Sequence, residues 1–227
     1  MVTSLVMGRR VLPASALEAP LVTVPMLRGR GVVAPLLELL GGRGWIAGGF
    51  ARWCCSPNKM TPPPGDLDVF FGDDDSFARA LADAIKVGAV ITDEKSYFAQ
   101  LDVSTAFPGV GLPHVQFIKP FVSGGRTWGP DKNDVVRQID ISVCRIALDG
   151  ANATTATADS TFLADENEQR IQIRLVNDPY SVTKHVIKYI RKGYAITPEE
   201  MTSIYDKWAE MDEAQRAARR ASGHTGY

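Results

Sequence analysis

Two aspartates separated by one leucine, Asp66-Leu67-Asp68, open an apolar run, and a glycine pair, Gly48-Gly49, closes an earlier one. In a strand, residues i and i+2 point to the same face, so this spacing sets two carboxylates side by side. Like charges that close cannot both stay ionised cheaply, and a divalent cation removes the conflict. Hard oxygen ligands in this arrangement suit Mg²⁺ shared with substrate phosphates. Mn²⁺ is the alternative ion. The glycines have no side chains, so backbone N–H groups there can approach a triphosphate, and a helix after them adds a favourable N-terminal dipole. An isolated D-x-D pair is most often a solvated strand end, and Gly-Gly most often a turn. Their order here, with apolar residues on both flanking runs, points instead to a phosphate-handling metal site.

Further candidates lie downstream. Asp140 sits early in an apolar run, where a carboxylate needs a partner or a metal. It reads either as a third metal carboxylate supporting the acceptor side or as an ion-pair partner of Arg137 or Arg145. Asp102 is a weaker rival for that role. Lys184, Lys188 and Arg191 recur at helical spacing as one cationic stripe, with His185 and Lys192 beside it. Val182, Val186, Tyr189 and Ile190 form a separate apolar stripe for packing. The cations can hold a triphosphate, a nucleic-acid backbone, or only water.

The elements that must carry these residues can be sketched. Residues 1–30, punctuated by Pro13, Pro20 and Pro25, form an extended arm or edge strand. Val32–Leu40 forms a short helix stopped by Gly41-Gly42. Trp45–Ala47 is a buried strand, followed by a short helix, and 56–65 is loop. Leu67–Phe71 is the next strand, and Asp73 to Ser76 caps a helix over Phe77–Lys86. Strands follow over Ala89–Thr92, Tyr97–Val103, Val115–Ile118 and Ile139–Leu148, with 124–134 as loop. Asp149–Ala158 is a weak link and Arg170–Leu175 a last strand. From Tyr180 onward two helices divide near Thr197-Pro198. The layout is α+β: an arm (1–30), a mixed-sheet head with flanking helices (31–176) and a helical neck (177–227).

Composition sets the bounds. The chain is 45% hydrophobic and 22% charged with net charge −1, so any polyanion site must be a local patch. Three cysteines, two of them adjacent, give neither a disulfide framework nor a zinc spacing. No run reaches the roughly 18 apolar residues of a membrane span. Arg9 and Arg10 break the one candidate leader core, so the expected setting is cytoplasmic, with no membrane partner.

Gly48-Gly49-Phe50-Ala51-Arg52 followed by Asp66-Leu67-Asp68 resembles the G-G-x-x-R … D-x-D signature of CCA-adding and poly(A)-adding enzymes, in the DNA polymerase beta superfamily. Arg137-Gln138-Ile139-Asp140-Ile141-Ser142 is similar to the family's R-R-D-[FL]-T run. Asp178-Pro179 … Lys184 … Arg191-Lys192-Gly193-Tyr194-Ala195-Ile196 is similar to its D-P-x-R-x-x-R … R-x-G-F-x-I helix. The likeness covers roughly residues 44 to 196. Trp53 stands where the family carries an acidic residue, and Ser181 and Lys184 stand at arginine positions. In size and layout the chain also looks like short nucleotidyltransferase-like proteins of tailed phages.

The resemblance implies a two-metal in-line transfer of a nucleotidyl group from a nucleoside triphosphate to an acceptor hydroxyl, with loss of pyrophosphate. It implies Asp66 and Asp68 as catalytic metal ligands, Asp140 completing the metal site or orienting the acceptor, and Gly48, Gly49, Arg52, Lys184, Lys188 and Arg191 on the nucleotide. RNA is one acceptor; a protein or small molecule is another. A non-catalytic nucleotide-binding or virion-associated protein on the same fold is the remaining reading. Asp212-Glu213-Ala214-Gln215-Arg216 echoes the family's base-selecting motif, and reads equally as the charged start of a helix.

Overall fold

The computed structural model describes residues 19–58, 63–107, 114–120, 122–123, 126–127, 131–150 and 154–222. Strands β1 (Leu21–Pro25), β2 (Gly44–Ala47), β3 (Asp66–Phe71), β4 (Val90–Lys95), β5 (Phe98–Asp102), β6 (His114–Ile118), β9 (Ile146–Leu148) and β10 (Thr155–Asp159) form one sheet. Its order is β1-β10-β9-β2-β3-β6-β5-β4, and a small pair, β7 (Val122–Ser123) and β8 (Arg126–Thr127), stands apart. Within this sheet the ladder of β3 with β6 is parallel and the other ladders are antiparallel, so the sheet is mixed. Helices α1 (Arg30–Leu40), α2 (Gly49–Cys55), α3 (Asp74–Lys86), α4 (Lys132–Gln138) and α5 (Phe162–Glu168) flank it. Helices α6 (Pro179–Ile190), α7 (Pro198–Glu210) and α8 (Glu213–Ser222) follow. The architecture is α+β, as the sequence pattern implies.

Local chemistry explains most boundaries. Gly41 takes a left-handed conformation (φ 55°) that ends α1. The Asp73 carboxylate accepts from the Ser76 backbone N–H at 2.6 Å and starts α3. Thr197 caps α7 by accepting from Glu200 N–H, with Pro198 at the first helical position.

Four expectations need correction. The run Ile139–Leu148 is not one strand: Ile139 ends α4, Ser142–Cys144 makes a 3-10 turn, and the strand spans only Ile146–Leu148. Its residues are apolar because Ile139, Ile141, Val143 and Cys144 pack among Val182, Val186, Tyr189 and Tyr194. An unbroken apolar run does not separate a strand from a buried irregular segment. The stretch 124–134 is not all loop, since Asp131 caps α4 by accepting from Asp134 N–H. The weak link 149–158 contains β10, where Ala156 and Ala158 are fully buried and Thr155 and Thr157 donate to Asp149. Arg170–Leu175 joins no ladder and makes only isolated bridges, Ile141 with Ile173 and Arg170 with Ala195.

Two further points bear on domain organisation. Residues 21–25 of the expected arm are the sheet's edge, paired with β10. The C-terminal helices number three among the described residues. At α8 the Asp212 and Gln215 side chains each accept from the other's backbone N–H, a capping box that accounts for that acidic cluster. One core lies under α1 and α3. The second joins Ala47, Val135 and Ala147 of the head to Val182, Val186, Tyr189 and Ile204 of α6 and α7.

Candidate active site

Strand β2 delivers the chain to Gly48, and the β2–β3 register puts Ala47 opposite Asp68. Gly48 has φ 72° and ψ −139°, a region essentially restricted to glycine. Its N–H donates to the Ile146 carbonyl at 3.0 Å, and its own carbonyl accepts from Arg52 N–H at 2.9 Å. A Cβ added there would lie 3.7 Å from Asp68 Oδ2, so the glycine backbone runs directly beside that carboxylate. Gly49 has no positive φ, and a Cβ on it would sit 3.9 Å from the Tyr189 hydroxyl. Of the two glycines, Gly48 is the conformational requirement. Gly48→Ala is expected to store about 1–3 kcal/mol of backbone strain and lower the melting temperature by several degrees. Calorimetry showing an unchanged melting temperature would refute that assignment.

Asp66 and Asp68 are half-buried on one face of β3 while Leu67 between them is fully buried on the other. Burial first, and the Asp66 carboxylate second, push Asp68 up to about 7, while Lys188 and His185 pull it back. Among the described residues neither carboxylate makes a hydrogen bond or an ion pair. Two hard oxygen donors from one strand, unsatisfied and mutually repelling, fit a Mg²⁺ ion that keeps waters and substrate oxygens in its other positions.

Asp140 faces His185. Its Oδ2 lies 2.6 Å from His185 Nδ1, and its backbone carbonyl accepts from Arg174 N–H at 2.7 Å and Leu175 N–H at 3.2 Å. Burial pulls the His185 pKa down most strongly, but the Asp140 charge, its hydrogen bond and the more distant Asp68 charge together turn the net direction up. Arg145, one of the alternative counter-ions for Asp140, pairs with Asp159 at 3.9 Å and donates to the carbonyls of Ile139 and Arg137, which fixes the segment leading to Asp140. Among the described residues no three acidic, histidine or cysteine side chains converge as a metal site. The geometry therefore groups Asp66 with Asp68, and Asp140 with His185. Asp102 is spent on a turn, accepting from Ser104 N–H at 2.8 Å.

The cations divide. Lys188 is exposed and acts on Asp68. Lys192 lies 4.8 Å above the Tyr189 ring, and desolvation, then Lys188 and Arg52, lower its pKa, against a pull from Asp66. Lys184 leans over the Tyr180 ring at 5.4 Å, and Arg191 is exposed at the end of α6. Val182, Val186 and Tyr189 pack as expected; Ile190 does not, being 46% exposed.

Arg52 is not with them. It is 1% exposed, and its guanidinium forks onto Glu166 of α5, Nε to Oε1 at 2.6 Å and Nη2 to Oε2 at 3.2 Å. Nη2 also donates to the Tyr194 hydroxyl, which itself donates to Glu166 Oε1 at 2.9 Å. The rings of Tyr189 and Tyr194 lie 5.1 and 5.0 Å from the guanidinium carbon. Trp53 meets α1 on another side of α2: Arg28 lies over its ring at 5.5 Å, and a Cβ on Gly29 would come within 2.7 Å of it. Sequence reasoning missed the Asp140–His185 pair and Glu166 altogether. The apolar company of Arg52, namely Phe50, Ala51, Cys54 and Cys55, was a signal that its helix face is buried.

No family model matches the chain, and no curated protein does. Solved structures do. The Thermotoga maritima CCA-adding enzyme complexed with tRNA superposes with TM-score 0.54 at 13% identity, over 77% of this chain and 42% of that one. A CCA-adding enzyme with CTP gives 0.56 at 14%, over 83% and 47%. A tRNA nucleotidyltransferase with a primer tRNA and an incoming ATP analogue gives 0.54 at 16%, over 76% and 48%. The chain thus spans less than half of each. The likeness establishes the fold: a nucleotidyltransferase-type head with flanking helices.

Proposed function

We propose that this chain transfers a nucleotidyl group from a nucleoside triphosphate to an acceptor hydroxyl. The observation that carries the reading is the Asp66–Asp68 pair, unpartnered among the described residues, with the Gly48 backbone against it and Lys188 and Lys192 acting on it. The fold's likeness to enzymes captured with CTP, an ATP analogue and tRNA supports it.

Asp66 and Asp68 would hold Mg²⁺, which when bound supplies charge neutralisation at the attacking and leaving oxygens. The acceptor hydroxyl gives its proton to water as its oxygen bonds to the α-phosphorus, and the bond from that phosphorus to the bridging oxygen of the β-phosphate breaks, releasing pyrophosphate. Gly48 leaves room for phosphate oxygens beside Asp68. Lys188 and Lys192 balance the charge of the triphosphate, and the Asp140–His185 pair lines the same side of α6. Arg52 supports this surface from behind.

The acceptor we infer is RNA, running along α6 past Lys184 and Arg191. If so, each cation neutralises about one phosphate, and affinity falls with salt at a slope of about −0.7 per contact for a single strand. Changing Lys184 and Arg191 together to Gln should flatten that slope by about 1.4 and leave nucleotide affinity nearly intact. A slope identical to wild type would remove RNA from α6. The direct test is incubation with each labelled nucleoside triphosphate, Mg²⁺ and total RNA. Label in RNA is expected, label in protein would replace the acceptor, and no label anywhere would sink the transferase reading.

A further inference from the structure

Helix α2 follows Gly48, begins at Gly49, and packs Phe50, Ala51, Cys54 and Cys55 into the apolar core. It is seven residues long with no side-chain cap at its N-terminus, far below the length at which a helix is stable by itself. Its direction is therefore set by tertiary contacts. Its charged contribution to them is Arg52, one turn beyond Gly48 and bonded back to the Gly48 carbonyl through its own N–H. The partner, Glu166, lies 114 residues away on α5, and the third member, Tyr194, follows α6. The Tyr189 ring lies against two of its members, Arg52 and Tyr194. Its hydroxyl faces Gly49 and meets Cys144 Sγ at 2.8 Å, while Arg52 and Lys192 both lie over the ring.

We propose that the buried Arg52–Glu166–Tyr194 network is a positioning device that fixes the glycine pair relative to Asp68 and to the cations of α6. The inference rests on the nucleotidyltransferase reading of the site. A buried ion pair contributes little net stability compared with apolar residues of equal volume, so stability alone does not account for it. What a forked guanidinium–carboxylate pair adds is direction: two parallel hydrogen bonds that tolerate little rotation. A shift of about 1 Å in a substrate-positioning group can cost about a hundredfold in rate.

The test is to replace the network by apolar residues of similar shape, Arg52→Met, Glu166→Leu and Tyr194→Phe together. This removes all its polar atoms and leaves no charge unpaired. The expected result is a melting temperature close to wild type, a kcat about a hundredfold lower, and a nucleotide KM changed by less than about threefold. Amide exchange at residue 52, whose N–H reports the bond to Gly48, should quicken by about tenfold. Should the triple variant not fold, Arg52→Lys retains the charge but not the fork, and is expected to lower kcat by about tenfold while KM holds. Wild-type kcat together with wild-type exchange in either folded variant overturns the proposal. If the unmodified protein transfers no nucleotide, the functional reading fails by itself, and the exchange rate still judges the positioning role.

Discussion

Asp66→Asn and Asp68→Asn should each lower turnover by about a thousandfold or more without loosening the fold. Metal-borne charge stabilisation in a transition state amounts to several kcal/mol, and each 1.36 kcal/mol is a factor of ten. Stability should move the other way. Asp68 is pushed up to about 7 by burial and by Asp66, so its ionised form is disfavoured in the folded state. A carboxyl whose folded pKa is raised binds its proton more tightly when folded, so stability falls as pH rises from about 4 to about 7 and stays lower above that. At pH 8 both variants remove the repulsion, and their melting temperatures should equal or exceed that of the metal-free wild type. Added Mg²⁺ should raise the wild-type melting temperature and leave the variants unmoved, since a ligand binding only the folded state stabilises it. Full activity in both variants, or a wild-type melting temperature indifferent to Mg²⁺, would count against the site.

The second large effect concerns stability. Arg52→Ala strands the Glu166 carboxylate, which is 1% exposed, without its counter-ion. Breaking a buried pair from one side costs about 3–5 kcal/mol. For a chain of this size that corresponds to a fall of roughly 10 °C in melting temperature. Glu166→Ala should cost a similar amount, and the double change to alanine less than the sum, because no lone charge remains. Additive single losses would show that the two side chains do not stabilise each other.

What the sequence disclosed, and what it hid, follows from the reach of each interaction. Asp66 and Asp68 were legible because a period of two is a local property of strands, and the α3 cap because Asp73 and Ser76 are three residues apart. Gly48 was legible as part of a pair, but not as the member with φ 72°, since dihedral angles leave no trace in composition. The place of Arg52 in a motif implies a nucleotide contact. Its true neighbours, Glu166 and Tyr194, are chosen by the tertiary fold, as is His185 for Asp140 across 45 residues. Strand β10 was overlooked because alanine and threonine alternate with too little hydrophobic contrast to register, although Ala156 and Ala158 are fully buried.

Strand β1 meets the sheet only through β10, with Leu21 opposite Asp159. A ribosome releases the chain from its N-terminus, so β1 emerges long before its partner exists. At ordinary elongation rates it waits on the order of ten seconds, about 140 residues of synthesis, for β10 to appear. During that interval Val22 and Val24 lack the ladder partners, Ala158 and Ala156, that they have in the finished fold. Completion of the sheet is thus timed by this edge, and a chain released between Leu148 and Thr155 would carry β9 and every earlier strand but leave β1 without the neighbour it pairs with.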